Sequence, residues 1–160
     1  MEKQQVEEQL LDLYDKFPDV KKYYDFVFNP KEDKIVGEAK AKISNEYFPI
    51  KTKRAKLRRS TAQKYIKQFV MLGVDPFLIA DLMLYNIETA QKYSAKRDMK
   101  YQVSFYKSML NSLKQAIDYI VSNGVTVDFR DRLFDVAKTA KLQRWENYHA
   151  FDDALEILQI

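Results

Sequence analysis

The alternation of apolar and polar residues follows a helical period almost from end to end. Val6, Leu10, Leu13, Tyr14 and Phe17 share one face, predicting a first helix over about 2–16. Phe17-Pro18 ends it, because the residue before a proline is pushed out of the helical region. Val20, Tyr23, Tyr24 and Val27 predict a second, short helix. Asn29-Pro30 reads as the cap and first turn of a third, with Ile35, Ala39, Ile43 and Tyr47 spaced by four and Phe48-Pro49 closing it. Ser60 and Gln63 suit a capping box at the start of a fourth, whose inner face is Ala62, Tyr65, Ile66 and Phe69. Gly73 sits where a left-handed C-cap belongs.

The next segment, 75–93, is the most apolar long stretch of the chain. Asp75 supplies a capping oxygen, and Pro76 suits the first turn, where its missing N–H costs nothing. Ala80, Leu82, Met83, Leu84, Ile87 and Ala90 form a broad apolar arc that Phe77, Leu78, Tyr85 and Tyr93 extend. Asp81, Glu88 and Lys92 share the one polar sector, roughly 40° wide. A helix with so wide an apolar surface must be covered on several sides, so 75–93 is expected at the centre, antiparallel to the fourth helix after a very short turn.

Polar residues at 94–100 predict a loop. Tyr106, Met109, Leu110, Leu113, Ala116, Ile117 and Ile120 predict a sixth helix that Asn123-Gly124 stops. Phe129, Leu133, Val136 and Ala140 mark a seventh, and Tyr148, Phe151, Leu155 and Leu158 an eighth running to the C-terminus. A short strand at 125–129 is the isolated alternative. The expectation is one all-α domain over 1–160, a bundle of about eight helices or a short helical-repeat-like array around 75–93.

Composition narrows the function classes. There are no cysteines, which removes disulfides and thiolate chemistry and fits a cytoplasmic protein. The N-terminal stretch is charged and amphipathic, unlike a secretory signal. No run reaches the roughly 18 apolar residues of a membrane span. Three glycines cannot build a P-loop, a dinucleotide fingerprint or a nucleophile elbow.

Charge adds one feature. Lys51, Lys53, Arg54, Lys56, Arg58 and Arg59 crowd a basic interhelical loop at about 50–59 with no acid among them. That +6 exceeds the +4 of the whole chain, so the remainder is slightly acidic. Contact of all six with duplex phosphates would give a log–log salt slope of roughly −5. No aromatic lies within the run for base stacking, and the alternative is a solvated loop pairing with acids such as Asp33 or Glu38.

Two further constellations bear on chemistry. Asp81 and Glu88 lie seven residues apart on the central helix, about 10 Å between Cα atoms. His149, the one histidine, has Asp152 and Asp153 three and four residues on. Glu88, His149 and Asp152 would make a metal or acid–base site if the eighth helix covered the polar sector. The structural alternative pairs Glu88 with Lys92, gives Asp81 a tyrosine hydroxyl, and places Asp152 and Asp153 in the first turn of the eighth helix. Trp145 and ten tyrosines (23, 24, 47, 65, 85, 93, 101, 106, 119 and 148) are expected mostly in the core or at its boundary, some lining a partner groove.

KKYYDFVFNP at 21–30, KLRRSTAQKYIKQFVMLGVDPFLIADLMLYNIETAQKY at 56–93 and WENYHAFDDAL at 145–155 resemble an uncharacterised bacterial family of small, mostly helical proteins, a domain-of-unknown-function family. The central segment ending in Glu88-Thr89 is its most specific part. The resemblance implies a compact helical domain and directs attention to Glu88, Thr89 and His149 without assigning them roles.

The function expected from these readings is a non-enzymatic binding or adaptor module for a protein partner, with no cofactor and no metal. Phosphate-backbone binding through 51–59 is the first alternative, and an enzyme using Glu88, His149 and Asp152 the second. Oligomeric state is open.

Overall fold

Eight α-helices and no strand occur among the described residues, which in this computed structural model are 2–28, 30–52, 54–99 and 102–159. They are α1 (Lys3–Lys16), α2 (Pro18–Phe28), α3 (Glu32–Tyr47), α4 (Arg59–Leu72), α5 (Pro76–Ser94), α6 (Val103–Ser122), α7 (Thr126–Leu142) and α8 (Tyr148–Ala154), followed by a 3₁₀ turn, Glu156–Leu158. The fold is a single all-α domain.

α5 is the axis. Its N-cap is Asp75, whose carboxylate accepts the Phe77 N–H at 2.9 Å, with Pro76 in the first turn. α3, α4, α6 and α7 all pack on it, so Ala80, Leu82, Leu84, Ile87 and Ala90 lose all contact with water. Gly73 holds the α4–α5 turn with φ 76°, a conformation that disfavours side chains with a Cβ. Gly124 does the same at φ 70° after α6. The second focus of the core is Trp145, ringed edge-on by Phe105, Tyr106 and Phe151 at 5.4 Å each.

Several boundaries differ from expectation. α3 begins at Glu32 with Lys31 at its N-cap; Asn29 lies outside the described residues. The Ser60–Gln63 capping box does not form, because α4 already starts at Arg59 with Arg58 as N-cap. Gln63 instead exchanges amide hydrogen bonds with Gln115 of α6. Residues 126–129 are helical rather than extended, their apolar spacing being continued by Leu133 and Val136. The eighth helix ends at Ala154, where the chain tightens into the 3₁₀ turn that buries Leu158.

α1 and α2 stand apart. Neither has a buried residue; α1 packs on α2, and α2 reaches the body through α4.

Candidate functional site

The polar sector of α5 is covered by α3 and α7, not by α8. Arg132, on the α7 turn after Phe129, fills the gap that seven residues leave between Asp81 and Glu88. Its Nη1 donates to Asp81 Oδ1 at 2.6 Å and its Nη2 to Glu88 Oε1 at 2.6 Å. Nε donates to both Glu88 oxygens at 3.2 Å. From α3, Lys40 Nζ donates to Asp81 Oδ2 at 2.6 Å and lies over the Tyr85 ring. Burial pushes the Asp81 carboxyl up, but Lys40 and Arg132 more than offset this and hold it below the usual aspartate range. Burial likewise disfavours the Arg132 cation, and the two carboxylates outweigh it. Every oxygen and nitrogen of this cluster faces an opposite charge, so it is a strut joining three helices.

That geometry revises three expectations. Glu88 pairs with Arg132 and not with Lys92, which is exposed on the solvent side of α5. Asp81 takes two cations, not a tyrosine hydroxyl. Thr89 is buried and spends its hydroxyl on the Tyr85 carbonyl at 2.7 Å.

His149 and Asp152 are exposed on α8, a helix that packs on α6 and α7. The His149 ring lies against Tyr148, centroids 3.9 Å apart. Because α8 starts at Tyr148 and ends at Ala154, Asp152 and Asp153 fall in its last turn, not its first. Glu88 is held by Arg132, and no group of three or more His, Asp or Glu side chains converges as metal ligands among the described residues.

The basic segment divides in two. Glu46 sits on the buried face of α3 and anchors the loop from its inner side. Its carbonyl accepts the Lys56 and Leu57 N–H groups at 3.1 and 3.3 Å. Its carboxylate accepts Arg58 Nη2 at 2.9 Å and the Thr61 hydroxyl at 2.7 Å. Burial would raise this carboxyl; the bonds from Arg58 and Thr61 hold it below the ordinary value. The partner of the loop is therefore Glu46 and neither Asp33 nor Glu38. Arg59 turns inward onto Ser112 Oγ at 2.8 Å and Gln115 Oε1 at 3.2 Å, where burial lowers its pKa. Lys51, Arg54 and Lys56 are exposed, and Lys53 lies outside the described residues.

Of the aromatics, Tyr47, Tyr106 and Trp145 are buried and Tyr23 is exposed. The remaining tyrosines of the expected set are half-buried, Tyr101 lying outside the described residues. In a cavity of about 680 Å³ beside Trp145, the Ser94 hydroxyl, the Gln143 amide and the indole N–H are already hydrogen-bonded. Ser94 Oγ and Trp145 Nε1 both donate to Gln143 Oε1, at 2.6 and 2.9 Å. Gln143 Nε2 donates to the Gln91 carbonyl.

A groove between α2, α3 and α4 is different. It encloses about 590 Å³ over an apolar floor of Phe26, Ile35, Tyr65, Phe69 and Leu72. Lys22, Lys31, Lys34 and Lys42 stand on its rim with Asp25 and Glu38, a local excess of two positive charges. All four lysines are exposed, and none makes an ion pair with another described residue. Asp25 is committed to the Tyr14 hydroxyl. Sequence reading missed this groove because its lysines are spread over α2, the α3 N-cap and two turns of α3 and form no run.

A model of a family of unknown function, DUF6155, matches residues 1–159. The chain belongs to that family. Nothing among curated proteins or solved structures matches it. In this DUF6155 member the segment 21–30 supplies the α2 wall of the groove, and 56–93 supplies the anchored loop, the α4 wall and the central helix. The third, 145–155, supplies Trp145 and α8. No helix is long and apolar enough to cross a membrane among the described residues.

Proposed function

We propose that the chain is a non-enzymatic helical binding module of the bacterial cytoplasm, whose α2–α3–α4 groove docks an acidic amphipathic helix of a protein partner. The observation that carries this reading is the pairing of an apolar floor with four lysines that make no ion pair among the described residues. An apolar stripe on a docked helix would cover Phe26, Ile35 and Tyr65, and acids beside the stripe would meet the rim. The charges elsewhere on the body support the same choice, since Arg58, Arg59 and Arg132 are used internally. The assignment to the bacterial cytoplasm rests on the family resemblance and on the lack of cysteine.

The test is a fluorescence-anisotropy titration of a labelled amphipathic peptide, glutamate-rich with leucines at helical spacing, against the full chain. Saturable binding that weakens with salt, and falls about tenfold or more in Lys34→Glu/Lys42→Glu, is the expected result. Absence of binding at low salt both to the full chain and to Leu13→Ser/Phe17→Ser, or binding indifferent to the two reversals, overturns the reading.

A further inference from the structure

We infer that the occupant of the groove is α1 of a second copy of this chain, exchanged reciprocally about a twofold axis. The inference rests on reading the groove as a helix-docking site, and it names the helix.

α1 keeps an apolar line that no other described element covers. Val6 is 49 % exposed, Leu13 37 % and Phe17 52 %, although Val6 and Leu13 share one line of the helix and Phe17, its C-cap, follows at the end of that line. Packing against α2 uses the neighbouring line, Leu10 and Tyr14, both half-buried. The Val6–Leu13–Phe17 stripe is left over, on a helix of 14 residues that is about 21 Å long. Residues 2–16 carry five acids and two lysines, a net −3, whereas the groove rim is positive. Glu7 and Asp12 lie about 100–120° to either side of the stripe, and their exposed pairings within α1, to Lys3 at 4.0 Å and Lys16 at 3.1 Å, are weak enough to be exchanged for the lysine rim of a second copy.

Chain connectivity favours a second copy over an unrelated helix. α1 joins α2 at Phe17-Pro18, and α2 is itself a wall of the groove. Helix and groove therefore lie side by side in each copy, and a twofold axis beside α2 lets each α1 enter the other's groove. The same contact is then made twice, as an isologous dimer requires. Phe28, 78 % exposed, and Leu11, 63 % exposed, border the cleft between α1 and α2 and would be covered by the same association.

Sedimentation velocity on the full chain over a range of concentrations and salt tests this. The expected result is a dimer that dissociates as salt rises. Glu7→Lys/Asp12→Lys on α1 and Lys34→Glu/Lys42→Glu on the groove should each give folded monomers, with helical circular dichroism and cooperative unfolding preserved and a thermal midpoint no longer dependent on concentration. Mixing the two variants should restore a dimer, because a basic α1 then meets an acidic groove while the wild-type pair forms on the other side. Leu13→Ser/Phe17→Ser, which removes the stripe and leaves every charge, should also be monomeric. A monomer at every concentration, a dimer indifferent to these changes, or variants that fail to recover on mixing overturns the inference. In those cases the peptide titration still separates the outcomes: binding of the acidic peptide keeps the groove reading and shifts the occupant to another protein, and its absence removes both.

Discussion

The body around α5 and the arm formed by α1 and α2 use the same ingredients, amphipathic helices rich in lysine and acid, to opposite ends. In the body, a charge near the core meets its counter-charge. Arg132 bridges Asp81 and Glu88, Lys40 completes Asp81, and Arg58 caps Glu46. In the arm no residue is buried, and the four lysines beside it have no ion pair among the described residues. Matched charges fix helices to one another and are unavailable for anything else. Unmatched charges over an apolar floor contribute little to the fold of one chain, and their placement makes sense against a second surface.

The contrast breaks most readily at the core. Leu84→Ala, at a fully buried position of α5, should cost about 2–5 kcal/mol in urea unfolding. Leu11→Ser on the arm should stay within about 0.5 kcal/mol. A comparable loss at both positions would mean that the arm is part of the cooperative body.

A smaller effect is expected at the strut. Arg132→Ala leaves two acids seven residues apart with one lysine between them, and should cost roughly 2 kcal/mol, below the range for a fully buried pair because the cluster is partly solvated. Arg132→Ala in an Asp81→Asn/Glu88→Gln background should cost distinctly less. Equal costs in the two backgrounds would show that packing against Phe129, not charge, is what Arg132 supplies.

Acid sharpens the same distinction. Asp81 and Glu46 both have folded-state pKa values below the ordinary ones, so their stabilisation is complete above the unfolded values of about 3.9 and 4.3. It is lost as pH falls through the folded values. Unfolding midpoints should drop more steeply below about pH 4 in the wild type than in Asp81→Asn/Glu46→Gln. Parallel curves would remove the two carboxylates from the acid limb. The smallest effect is at the rim: Lys34→Glu/Lys42→Glu should move monomer stability by no more than about 0.5 kcal/mol, since both lysines are exposed and neither makes an ion pair among the described residues.

The sequence showed the helices and their stops more fully than it showed the polar contacts. Asp75-Pro76, Gly73 and Asn123-Gly124 act locally, so their signals survive without tertiary information. The partner of the α5 sector could not be read that way, because Arg132 is 51 residues from Asp81 and 44 from Glu88. A clue was present: two acids one face apart on a helix otherwise apolar need a cation long enough to span them. Glu46 offered a similar one, lying three residues beyond Ile43 on the inner face of α3. An acid in that place demands a donor, and the basic run 51–59 that follows α3 supplies it through Arg58. The groove had no such signature, since its floor and rim are assembled from three helices and only tertiary packing sets them side by side.

The central claim is that the unmatched lysines, not the basic loop or the strut, are where this chain meets a partner. Hydrogen exchange of Leu13→Ser/Phe17→Ser, whose groove no second copy fills, with and without the acidic amphipathic peptide decides it. Slowed exchange is expected in 18–42 and 65–72, with 51–59 and α5 unchanged. Slowing confined to 51–59, or none anywhere under saturating peptide, would contradict it.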